Sequence, residues 1–105
     1  MRLLAIVTAI LALTATSANS QSDLGDVGRG HDLARKVCAE CHRVEKDQTG
    51  RKFVAVTAFQ VLANNPAKTA LSLRVFLKTP HRNMPDFLLT EAEIDSVIAY
   101  IHSLK

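Results

Sequence analysis

Cys38-Ala39-Glu40-Cys41-His42 is the stretch where residue type and spacing together specify chemistry. Two thiols separated by two residues can each form a thioether with one vinyl group of a haem, because one turn of backbone reaches both vinyls. The histidine directly after the second cysteine then lies under the ring and can give an imidazole nitrogen to the iron. On these grounds C-x-x-C-H reads as a c-type haem attachment site. A dithiol redox motif would also use C-x-x-C, but it belongs in a βαβ unit, and no strand-rich unit is visible in the sequence. A zinc site made of two cysteines and distant histidines would leave the placement of His42 unexplained.

An iron held by His42 has a sixth position to fill or to leave open. Apart from Met1 the chain has one methionine, Met84, 42 residues beyond His42 in Pro80-His81-Arg82-Asn83-Met84-Pro85. A lone methionine in a small domain commonly fills a core gap. This one stands in a loop bounded by prolines, between two expected helices, where the chain can return across the opposite face of a haem. Met84 is therefore the expected distal ligand and His81 its competitor. His31 and His102 read as solvent-facing helix residues.

The compartment decides what cysteines can do. Met1-Arg2 is followed by an almost wholly apolar run of about 11 residues and then by small polar residues up to Ser20. This is the pattern of a secretory signal. A bilayer-crossing helix needs roughly 20 apolar residues, and no Lys or Arg follows the run until Arg29. The expected organisation is a cleaved signal peptide over 1–20 and a single domain over 21–105, exported to the periplasm with no transmembrane anchor after processing. A domain of this size buries only about 60% of its unfolded surface and needs a staple to be stable.

With these residues in view, the sequence resembles class I cytochromes c, in particular the small exported bacterial ones, over essentially all of 21–105. The marks are Cys38-x-x-Cys41-His42 early, Met84-Pro85 late, and Val97-Ile98-Ala99-Tyr100-Ile101 in a C-terminal helix. The resemblance implies an all-α cytochrome c fold, four or so short helices around one covalently attached haem c. It also implies that iron is held by His42 and Met84 and that the protein carries single electrons. One departure is informative. Many relatives have a Gly-Pro pair soon after the attachment site, whose proline carbonyl accepts the second N–H of the proximal histidine. Here the sequence runs Gly50-Arg51-Lys52-Phe53 with no proline before Pro66. Another acceptor must orient His42.

The positioning elements can be read from periodicity alone. A first helix is expected over about 27–38, with Val27, Gly30, Leu33, Ala34 and Val37 at helical spacing and Asp26 as N-cap. A glycine inside a helix costs about 1 kcal/mol relative to alanine, so Gly30 marks a close crossing with another helix. A second, short helix is expected over about 57–64, with Phe59, Leu62 and Ala63 facing one way before Asn64-Asn65-Pro66. A third starts near Thr69, carries Leu73, Phe76 and Leu77 on one stripe, and ends at Pro80. The last opens on a capping box of Thr90 and Glu93 with Leu89 and Ile94 as hydrophobic staple. Its buried stripe is Ile94, Val97, Ile98 and Ile101, widened by Tyr100 and Leu104. In the resembling family this helix crosses the first, which pairs Gly30 with Tyr100. Residues 43–52 read as a surface loop, and Phe53 to Val56 as loop packing on the haem.

Basic residues are concentrated on the segments that would surround the haem edge: Arg29, Arg35, Lys36, Arg43, Lys46, Arg51 and Lys52, with Lys78 and Arg82 flanking the Met84 loop. Such a rim would steer partners with acidic docking surfaces. They would be redox proteins: a dehydrogenase, a bc-type complex or a terminal oxidase. Acids interleave with the bases and aromatics are few, so nucleic acid is not an expected partner. The expected molecule is a monomeric periplasmic electron carrier and not an enzyme. The alternative is a haem-based sensor or peroxidase-like protein with an open sixth position.

Overall fold

The computed structural model describes residues 25–50, 56–79 and 83–105. The expectations for 1–20, for Phe53-Val54-Ala55, for His81 and for Arg51, Lys52 and Arg82 lie outside the described residues. Within them are four helices and no strand: α1 (Val27–Lys36), α2 (Phe59–Asn64), α3 (Ala70–Lys78) and α4 (Glu91–His102). The four helices expected from periodicity and the all-α class implied by the resemblance are both observed.

α4 is the element on which the other three pack. Its start is fixed by the capping box: the Thr90 hydroxyl accepts from the Glu93 backbone N–H at 3.2 Å, and the Glu93 carboxylate accepts from the Thr90 N–H at 2.8 Å. Ile94, Val97, Ile98, Tyr100 and Ile101 are all buried along it, and Leu89, the staple residue, packs against the same cluster. Burying a side chain of this size contributes roughly 1.5–3 kcal/mol, so the apolar stripe outweighs the propensity cost of the β-branched residues in this helix.

α1 crosses α4 at glycine. A Cβ on Gly30 would overlap the Ser96 carbonyl and lie 2.9 Å from the Tyr100 Cβ, so the expected pairing of Gly30 with Tyr100 is present and shared with Ser96. Gly25 makes a second close approach, to the backbone of Asp95 and Ser96. The buried Ser96 hydroxyl accepts from the Asp26 N–H at 3.2 Å and donates to the Ala92 carbonyl at 2.8 Å. Asp26 itself caps α1 by accepting from the Arg29 N–H at 3.0 Å.

Two boundaries differ from those expected, the end of α1 and the start of α2. α1 stops at Lys36, and the chain tightens into a single 3-10 turn, Cys38–Glu40. The N–H groups of Cys41 and His42 both point at the Cys38 carbonyl, at 3.1 and 2.8 Å, which winds the attachment sequence onto itself. α2 begins at Phe59, leaving Thr57 outside the helix and Ala58 extended. α3 begins at Ala70, with Thr69 as its N-cap. The polar loop after His42 is also less superficial than expected: Val44 is 2% exposed and belongs to the core.

Candidate functional site

α1, α2, α3, α4 and the loop before α4 surround one apolar cavity that is partly open to solvent. Leu33, Phe59, Leu73, Leu77, Val97 and Ile101 supply much of its wall. Cys38, His42 and Met84 also line it, so residues separated by up to 46 positions in the sequence face one space. Cys41, at the far end of the 3-10 turn, is half-buried and stands outside that wall. A flat apolar ring with a metal at its centre fits such a cavity. Its wall is hydrocarbon, with two potential iron donors, an imidazole and a thioether, and a thiol able to bond to the ring's edge.

The orientation of His42 is set by backbone. Its Nδ1 lies 2.6 Å from the Thr57 carbonyl oxygen. A carbonyl only accepts, so Nδ1 carries the proton and donates, which leaves Nε2 as the basic nitrogen. Thr57 is the acceptor that the missing Gly-Pro pair left unnamed. It can serve because the chain stays out of helix at 57–58, the difference from the expected α2 boundary noted above. The two following residues are held as well. The Arg43 carbonyl accepts from the Phe59 N–H at 3.0 Å, and the Val44 carbonyl accepts from the buried Tyr100 hydroxyl at 2.6 Å. Phe59 also packs beside the His42 ring, with centroids 5.4 Å apart.

Behind this segment lies a polar cluster that sequence reasoning missed. His31 was expected to face solvent. Instead its Nε2 is 2.8 Å from the Glu45 carboxylate, and its ring stacks on Tyr100 at 4.8 Å. His102 is likewise tied down, 2.9 Å from the Lys68 carbonyl. Helical spacing could not show the polar contacts, because Glu45 and Lys68 lie on loops. Burial, with Glu45 beside it, pushes the Tyr100 hydroxyl up to about 12.

The competing chemistries find no support in the geometry. Burial pushes the Cys38 thiol up to about 11, whereas a dithiol oxidoreductase needs a lowered, thiolate-forming cysteine. Among the described residues no three His, Cys, Asp or Glu side chains are grouped to hold a metal ion, as a zinc site would require.

Residues 25–101 match the family model described as cytochrome c oxidase, cbb3-type, subunit III. The chain is also 37% identical over 95 residues to cytochrome c-552 of Bradyrhizobium diazoefficiens, covering 90% of each chain. The chain belongs to the cytochrome c family. It is a small monohaem c-type cytochrome with the all-α cytochrome c fold, and its cofactor is one covalently bound haem c with its iron. Electron transfer with redox partners is the role of such a cytochrome. No solved structure gives a significant match. No helix among the described residues is long and apolar enough to cross a membrane.

The basic rim expected of this cytochrome is partly neutralised within the molecule. Lys78 pairs with Glu91, and Arg35 lies 3.9 Å from Glu45.

Proposed function

We propose that this cytochrome is a periplasmic carrier whose haem is bound by thioethers to Cys38 and Cys41, with His42 and Met84 as axial ligands. The observation that carries the reading is that Cys38, His42 and Met84 line one apolar cavity. Thr57 holds Nδ1 of His42 and leaves Nε2 as the nitrogen that would bind the iron, an arrangement that fixes ring rotation and raises ligand basicity. When bound, the haem supplies a one-electron couple between Fe(III) and Fe(II). The apolar wall excludes water from it, and a His/Met pair raises its reduction potential. His42 and Met84 would both stay bound through the cycle, and no substrate would be turned over.

Residues 1–20 are a signal peptide removed on export, and 21–105 are the mature domain. The partners are redox proteins with acidic docking surfaces, approached through Arg29, Lys36, Arg43 and Lys46. The description of the matching family model, an oxidase subunit, favours a terminal oxidase among them.

Optical spectra of the exported protein, oxidised and reduced, test the ligand set. The weak red charge-transfer band of methionine-ligated ferric haem, together with indifference of the reduced form to carbon monoxide, is the expected result. Rapid carbon monoxide binding would overturn Met84 ligation and favour a sensor or peroxidase-like protein with an open sixth position. Mass measurement checks the attachment and the cleavage site together.

A further inference from the structure

The last residue of α3 and the first of α4 are an ion pair, Lys78 with Glu91. One turn earlier on α3, Arg74 reaches both Glu91, at 2.7 Å, and Asp95. Met84 lies on the chain that leaves α3 after Lys78 and re-enters helix at Glu91, so these four side chains close the base of the Met84 loop. Two of them are substantially withdrawn from water: Arg74 has 29% and Asp95 21% of its side chain exposed. An isolated exposed ion pair contributes little, but a network with partly buried members does more. Within the loop, the hydrogen bond from the Leu89 N–H to the Phe87 carbonyl, at 2.8 Å, spans two residues and ties nothing to α3. The charged network is thus a direct bond between the two helices that carry the ends of the loop.

We propose that Arg74, Lys78, Glu91 and Asp95 are positioning residues for the distal ligand: by holding α3 to the start of α4 they keep Met84 on the iron against competing ligands. The proposal rests on Met84 ligation. Any exogenous ligand must displace the Met84 sulfur and move its loop, so its apparent affinity is reduced by the fraction of molecules in which the loop is free. Loosening the base of the loop raises that fraction without touching the site.

The test is imidazole binding to the oxidised holoprotein, followed by the red charge-transfer band, with thermal unfolding measured in parallel. Glu91→Gln removes the partner shared by Lys78 and Arg74 while leaving the Thr90 and Glu93 cap in place. It should raise imidazole affinity about three- to tenfold, the scale set by one or two such pairs. Arg74→Gln should do the same, and Arg74→Lys, which keeps a cation for the pair, should show a smaller rise. In the wild type, rising salt should increase imidazole affinity, and Glu91→Gln should blunt that dependence. Glu93→Gln is the control for a merely structural role. It weakens the helix cap but breaks no α3–α4 pair, so it should lower the melting temperature and leave imidazole affinity unchanged. Unchanged affinity in both Glu91→Gln and Arg74→Gln would overturn the proposal, as would an equal rise in Glu93→Gln. Failure of the underlying ligand assignment looks different: the wild type itself would lack the red band and bind carbon monoxide quickly.

Discussion

At the scale of single residues, Met84→Ala should leave haem attached but open the iron, seen as carbon monoxide binding to the reduced variant. Cys38→Ala or His42→Ala should instead lower the yield of stable holoprotein, measured as covalent haem per polypeptide. The four residues proposed to bind haem are named by local chemistry alone: a thioether motif is written in adjacent positions, and one methionine is left for the sixth site. The acceptor for His42 was not legible, because it is a backbone carbonyl, and Thr57 carries no side-chain signature for that role. The only signal was negative, the absence of a Gly-Pro pair. Tyr100 was legible as a packing residue, but its hydroxyl's target, Val44, sits in a loop whose path no periodicity describes. Tyr100→Phe should cost about 1–3 kcal/mol, since it strands a buried carbonyl, and denaturant unfolding would measure it. The same hydroxyl sets a pH limit. Its pKa rises on folding from 10.0 to about 12, so above pH 10 the unfolded chain loses the proton first and stability falls as pH rises. Tyr100→Phe should flatten the alkaline limb of a stability profile between those values.

At the scale of elements, the helix crossing yields a paired prediction. Gly30→Ala gains about 1 kcal/mol of helix propensity, but the new Cβ meets the Ser96 backbone, which cannot rotate away as a side chain could. Overpacking of this kind costs typically 1–3 kcal/mol, so the variant should melt lower than wild type. Gly28→Ala, whose Cβ would approach only the Asp26 carboxylate at 3.3 Å, should melt at the same temperature or higher. Helix existence and the buried faces of α4 were legible because the apolar period and the capping box agree. The boundaries near the site were not. The 3-10 turn and the late start of α2 follow from where the Cys38 and Thr57 carbonyls are used, which is a tertiary matter. The start of α4 has its own pH signature. The Thr90 N–H and hydroxyl hold the Glu93 carboxyl below its usual range, and Lys78, with Arg74, does the same to Glu91. Both groups therefore stabilise the fold above the ordinary carboxylate range and lose that contribution as pH falls through their lowered values. Acid titration followed by far-UV circular dichroism should show α4 weakening, and Glu93→Gln should reduce the effect.

At the scale of the whole molecule, every helix contributes to the wall of one cavity, so the core is built around a guest. The apoprotein should lack fixed tertiary structure, which near-UV circular dichroism and the absence of a cooperative melt would establish; a cooperative melt of the apoprotein would contradict this. The glycine-mediated contact between α1 and α4 also bears on how fast the molecule forms. Asp26 and Ser96, 70 positions apart, are bonded to each other, so the best-packed interface joins the two ends of the chain. Closing so long a loop costs entropy before any contact repays it, and such long-range topology slows folding. A chain synthesised from its N-terminus cannot make this contact until its C-terminal helix has emerged. The attachment sequence at 38–42, by contrast, emerges early and is complete without the last helix. Synthesis thus has a built-in interval in which both cysteines are already present while the rest of the chain is still unable to close over them.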